Sequence, residues 1–237
     1  DLDTPVSAYM KIGDGDYSFL LESVEGGEKW ARYCFLGCDP AVVVSSKGRN
    51  ITIDENGKRQ ESKIESGTPL SAIKEILARY NPVDVPGLPR FSGGAVGFIS
   101  YDMVRFFEDL PEDTADDLNV PDSQFIITDT MLVFDNISQT IKMVSNAFIE
   151  SNDLDKVYEQ TIKKIGLLEE KLKTPLKIST QVNEEVVQPK FKSNFEKEKF
   201  KGAVDKVKQY ILEGDAIQVV LSQRLSFDIK KQAFDIY

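Results

Sequence analysis

Apolar residues come in short dense runs over the first third of the chain and in a helical rhythm later. Phe19-Leu20-Leu21, residues 31–36 and residues 41–45 each predict a strand. Residues 51–54 alternate and lead into Asn56-Gly57, a dipeptide that favours a tight hairpin turn. A helix is predicted from Thr68 as cap and Pro69 as first residue, with Leu70, Ile73, Leu77 and Tyr80 on one face and a stop at Asn81-Pro82. Pro82, Pro86 and Pro89 then impose a loop. Residues 91–101 are apolar and broken by Gly93, Gly94 and Gly97, residues 102–110 fit a short amphipathic helix, and the acidic stretch 112–122 fits a solvated connection. Residues 125–135 and 140–148 predict a hairpin around Asn136-Ile137-Ser138-Gln139.

From Leu154 to Lys173 the period is helical, with Leu154, Val157, Thr161, Ile165 and Leu168 in one stripe. Residues 174–188 read as a linker or an exposed extended segment. Ser193 and Glu196 spell a capping box for a helix running to Glu213, with Gly214 as its stop. Residues 216–227 alternate and predict a strand, and Phe234 to Tyr237 open another helix. Strand-rich blocks without regular strand–helix–strand alternation predict an α+β fold, antiparallel β-sheets with flanking helices, rather than a doubly wound sheet. The expected organisation is an N-terminal region over 1–150, a helix and linker over 151–190, and the start of a further domain over 191–237.

Composition adds exclusions. With 237 residues, 41% hydrophobic and 29% charged, the chain can bury a sizeable core. Its formal charge of −10 opposes general binding to nucleic acid, which depends on phosphate neutralisation by Lys and Arg. No apolar run approaches the roughly 20 residues of a membrane helix, and the start lacks the basic and apolar regions of a signal peptide, so a cytoplasmic protein is expected. Cys34 and Cys38, in an extended run, would stand about 13 Å apart. That is too far for a disulfide, so reduced, buried thiols are expected. The chain has no histidine. Any acid–base chemistry must therefore use carboxylates, Lys, Tyr or groups outside it, and the two cysteines cannot complete a zinc site with imidazole.

Three stretches carry candidate chemistry. Gly93-Gly94-Ala95-Val96-Gly97 fits neither nucleotide-binding glycine pattern, and close packing of backbones explains it better. Leu20-Leu21-Glu22-Ser23 is either an ordinary strand end or part of a site for a small zwitterion: Glu22 would face an ammonium, Ser23 would hold the rest, and Arg32 would meet a carboxylate. Gln218, among Ile217, Val219, Val220 and Leu221, either bonds to a neighbouring backbone or lines a ligand pocket.

Taken in order, Leu20-Leu21-Glu22-Ser23, Ala31-Arg32-Tyr33, residues 93–102 and residues 214–224 resemble the large subunit, component I, of anthranilate synthase. The resemblance implies a protein that converts chorismate and ammonia to anthranilate and pyruvate with Mg²⁺, in tryptophan biosynthesis. It implies a glutamine amidotransferase subunit as ammonia source, hence a hetero-oligomer, and feedback inhibition by L-tryptophan at a separate site. On that resemblance Leu21, Glu22, Ser23 and Arg32 belong to the tryptophan site. Gln218 occupies the active-site strand position where water-adding relatives carry a lysine base, which favours amination over hydration. The family's catalytic histidine, its metal-binding glutamates and the rest of its tryptophan site match nothing in these residues. No metal ligand is therefore expected in this chain, and the chain alone is expected to be inactive. The alternatives are aminodeoxychorismate synthase component I, of the para-aminobenzoate pathway, and a stand-alone tryptophan-binding module.

Overall fold

Runs such as Val42-Val43-Val44 and Met131-Leu132-Val133-Phe134 are satisfied only where both faces of a strand are covered. The structure, a computed structural model, covers them in that way. It describes residues 3–23, 32–149, 153–176, 189–229 and 232–237. Two compact units are present, Asp1–Lys177 and Ile178–Tyr237.

In the first unit the strands are β1 (Ser18–Leu21), β2 (Tyr33–Cys38), β3 (Val42–Lys47), β4 (Asn50–Glu55), β5 (Lys58–Lys63), β6 (Gly94–Ile99), β7 (Ser123–Thr128), β8 (Thr130–Asp135) and β9 (Thr140–Ser145). They build a four-stranded sheet ordered β1-β2-β8-β9 and a five-stranded sheet ordered β5-β4-β3-β7-β6. All neighbours in both sheets are antiparallel. The helices are α1 (Pro5–Ile12), α2 (Leu70–Leu77) and α3 (Leu154–Lys173).

Alternation along each strand sorts its side chains into layers. Phe19, Val43, Ile126, Met131, Val133 and Val144 meet between the two sheets. Leu132 and Phe134, which alternate with them, and Leu36 of β2 turn outward onto Ala8 and Ile12 of α1 and Leu168 of α3. Val42, Val44 and Ile127 turn the other way, onto Ile73 and Ile76 of α2. The result is a helix–sheet–sheet–helix sandwich, the α+β class with antiparallel sheets and flanking helices that the pattern predicts.

Several local expectations change. Residues 125–135 are not one arm of a hairpin: the chain breaks at Asp129, so β7 joins the five-stranded sheet and β8 the four-stranded one. Only β8 and β9 form the predicted hairpin, closed by Asp135 opposite Thr140. A dense apolar run does not reveal such a sheet change, because both strands are buried on two faces. The segment 102–110 forms a 3₁₀ turn over Tyr101–Phe106 instead of an amphipathic helix. At α2, Pro69 is the cap residue rather than the first helical one and no side chain caps, while the Thr68 carbonyl accepts a turn bond from the Ser71 N–H. Helix α1 went unpredicted, although Thr4-Pro5 followed by Ser7 is a capping signal, and the two side chains do cap each other's backbone reciprocally. Helix α3 packs on α1 and β9, so it belongs to the first unit rather than to a connecting segment.

The second unit contains β10 (Lys192–Ser193), α4 (Lys197–Glu213), β11 (Leu225–Ser226) and α5 (Ala233–Ile236). Gly214 stops α4 in the left-handed region, φ 85°, as expected. The capping box does not form: Ser193 Oγ bonds within its own turn to Phe195, and Glu196 caps without its side chain. The strand predicted over 216–227 shrinks to β11, paired with β10. Ile217 is 97% exposed, and among the described residues of this unit no sheet offers it a covered face.

Candidate functional site

Antiparallel pairing brings the first candidate residues to one end of the four-stranded sheet. Leu21, the last residue of β1, stands opposite Phe35, and Tyr33, the first residue of β2, stands opposite Asp135 at the end of β8. Residues opposite each other share a face. Phe35 and Tyr33 pack into the core between the sheets, so Leu21 and Asp135 stand on that inner face as well. Glu22 and Ser23 follow β1 directly and are half-buried, and Arg32 immediately precedes β2. The segment 24–31 that joins them, including Ala31 and the Gly26-Gly27 pair, lies outside the described residues.

Arg32 is not a loose cation. Its Nε donates to Asp135 Oδ1 at 3.0 Å and its Nη2 to Oδ2 at 2.9 Å, a bidentate pair. Its guanidinium lies over the Tyr33 ring, 4.8 Å from the centroid. Asp135 is only 2% exposed. It also accepts backbone N–H bonds from Ile137 and Ser138, at 3.2 and 3.3 Å. The Arg32 guanidinium, with those turn donors, holds the Asp135 carboxyl well below the usual carboxylate range. Sequence reasoning missed Asp135, which ends an apolar strand where an acidic residue reads as a turn marker. Its burial was the feature that a pattern of residue types does not contain.

Two of the cavities among the described residues of the first unit bear on the candidates. One, of about 420 Å³, opens between β1 and β6 and is lined by Tyr9, Ser18, Phe19, Gly97 and Phe98 among others. The second, of about 320 Å³, lies where β2 passes to β3 and β7 to β8, beside Cys38, Asp39, Asp129, Lys164 and Lys171. Leu21, Glu22, Ser23 and Arg32 line neither.

Cys34 is buried and Cys38 half-buried, both as free thiols. Burial, helped by Asp39, pushes the Cys38 thiol up to about 11. Gly97 sits where a Cβ would fall 2.0 Å from the Gln124 carbonyl oxygen, so the glycine run serves the close approach of β6 and β7. Gln218 is exposed, on a stretch without regular structure in the second unit. The buried strand environment that gave its amide significance is not present there. Among the described residues, no three acidic or thiol groups converge as a metal site. The residues described therefore do not by themselves fit a Mg²⁺ ion, and no step is derived through one. No helix among them is long and apolar enough to cross a membrane.

Residues 19–237 match the family model for the chorismate binding enzyme. Anthranilate synthase component 1 of Acetivibrio thermocellus is 38% identical over the whole chain, which covers 48% of that relative. The protein of the same name from Pseudomonas putida is 37% identical, with the same coverage. The crystal structure of anthranilate synthase component I from Streptococcus pneumoniae TIGR4 superimposes with a TM-score of 0.69 at 27% identity, over 99% of this chain and 49% of that one. The chain thus spans about half the length of the relatives it matches.

Proposed function

Since the chain belongs to the chorismate-binding enzymes, we propose that it is the N-terminal half of an anthranilate synthase large subunit. The observation that carries this is the likeness along the whole chain to relatives of that name. The complete protein would take chorismate and ammonia and release anthranilate, pyruvate and water: a C–N bond forms on the ring, a hydroxyl leaves, and the enolpyruvyl group departs as pyruvate. A glutamine amidotransferase subunit would supply the ammonia, and the assembly would work in the cytoplasm. Mg²⁺ would supply charge stabilisation on the substrate carboxylate from residues outside those described here.

In this reading the present chain contributes regulation. Leu21, Glu22, Ser23 and Arg32 would form part of a site for L-tryptophan, with Glu22 toward the ammonium and Arg32 toward the carboxylate. Their convergence at one end of the β1–β2 pair supports this. Gln218 would stand in the chorismate site once the remaining half supplies its surroundings. Two assays on the complete enzyme test the proposal. With chorismate, ammonium and Mg²⁺ the product is expected to be fluorescent anthranilate, and an aminodeoxychorismate product overturns it. Ser23→Ala is expected to raise the tryptophan concentration for half-inhibition about tenfold, the scale of one lost hydrogen bond in a closed site. An unchanged value removes Ser23 from the site.

A further inference from the structure

Asp135 has a role that the pairing of β2 and β8 does not require. The ladder already holds Tyr33 against Asp135 and Cys34 against Phe134 through the backbone. Yet a carboxylate is buried at the end of this ladder, at a desolvation cost that only good partners offset. Two N–H groups of the β8–β9 turn bond to its Oδ1, the Arg32 guanidinium grips both oxygens side-on, and the Lys142 ammonium stands 4.0 Å from Oδ2. The carboxylate therefore ties the head group of Arg32 to a closed turn.

The side-on grip has a stereochemical consequence. A guanidinium offers two forked edges: Nε with Nη2, and Nη1 with Nη2. Asp135 occupies the first. Among the described residues nothing occupies the second, on a side chain that is 43% exposed and stacked on Tyr33. A free arginine loses roughly 2 kcal/mol of rotamer entropy when a ligand fixes it. Here Asp135 and Tyr33 have fixed it beforehand.

We propose that Asp135 is a positioning residue for the amino-acid pocket: it locks Arg32 so that the Nη1–Nη2 edge presents a preorganised fork to the carboxylate of the bound amino acid. This rests on the regulatory reading above and adds to it a buried residue that touches no ligand. Asp135 gives up part of the long-range attraction of Arg32, by neutralising it, in return for orientation. The site would therefore select ligands by the geometry of a planar carboxylate more than by charge.

The test measures binding of L-tryptophan and L-tryptophanamide to the complete enzyme by calorimetry. The amide lacks the carboxylate. Asp135→Asn is expected to weaken tryptophan about tenfold and the amide less than twofold. The double variant with Arg32→Ala is expected to bind tryptophan no more weakly than Arg32→Ala alone. Arg32→Lys keeps the charge, and with it a partner for Asp135, but has no fork, so it keeps the test open if Asp135→Asn fails to fold. It is expected to weaken tryptophan as much as Arg32→Ala does. Equal losses for both ligands on Asp135→Asn would make Asp135 a support of the fold only and overturn the proposal. So would wild-type affinity in Arg32→Lys. If the unaltered enzyme binds no tryptophan, the regulatory reading itself falls. If it binds and Ser23→Ala weakens binding while Asp135→Asn does not, only the present inference falls.

Discussion

The two units treat their apolar residues in opposite ways. In the first, nearly every strand residue between Val42 and Val44 and between Met131 and Phe134 is buried, each alternate one in a different core. In the second, among the described residues, no side chain is buried, and Leu212, Ile217 and Val220 are each more than four-fifths exposed. Both contain apolar stretches of similar density. The difference is whether residues to cover them lie within the same unit. Apolar patterning specifies which face wants covering, and the covering partner has to be sought separately.

The largest effect expected from this contrast is on folding itself. Residues 1–177 alone should unfold in a single cooperative urea transition, and residues 178–237 alone should show no transition by circular dichroism. A cooperative transition in the short piece would break the comparison. Next in size are single truncations. Leu132→Ala removes a side chain with no exposure, between sheet and helix, and should cost about 2–5 kcal/mol in the 237-residue chain. Leu212→Ala, at a site 86% exposed, should change stability by less than about 0.5 kcal/mol in the same denaturation measurement. Smallest in energetic terms is a chemical probe. Burial raises the Cys38 thiol from 9.0 to about 11. At pH 8 its thiolate is then much scarcer than in the unfolded chain, so alkylation by iodoacetamide should be slower in the native protein and speed up in urea. Fast alkylation of the native protein would place Cys38 at an open surface.

The layers of the first unit are legible in the sequence because period-2 burial on two faces leaves short runs with no polar face, as at Val42-Val43-Val44. The partition into two sheets is not. Asp129 between two β-rich runs reads as one more strand residue, and only the three-dimensional pairing shows that the chain changes sheet there. The purely polar β5, Lys58–Lys63, has no apolar signature at all and follows from its hairpin turn alone. At the site, Leu21, Glu22, Ser23 and Arg32 were picked out by residue type and order. Their closeness came from the β1–β2 register, and the buried grip of Asp135 on Arg32 came from a β2–β8 pairing some hundred residues apart in sequence. Around Gln218 the alternation of residues 216–227 predicts a strand, and the described residues of the second unit offer it no sheet.

The pairing of β2 with β8 also has a consequence for synthesis. Cys38 leaves the ribosome well before Asp135, and at about 5–20 residues per second the delay is roughly 5–20 s. Throughout that interval β2 and β3 have no β8 or β7 to lie against, while β4 and β5 can already close their local hairpin. Val42, Val43 and Val44, central to the finished sandwich, are thus made well before the β7 and β8 residues that complete their cover. Until then only the local pairings of β1 with β2 and of β3 with β4 and β5 can form, and each leaves an apolar face and a free strand edge open to mispairing.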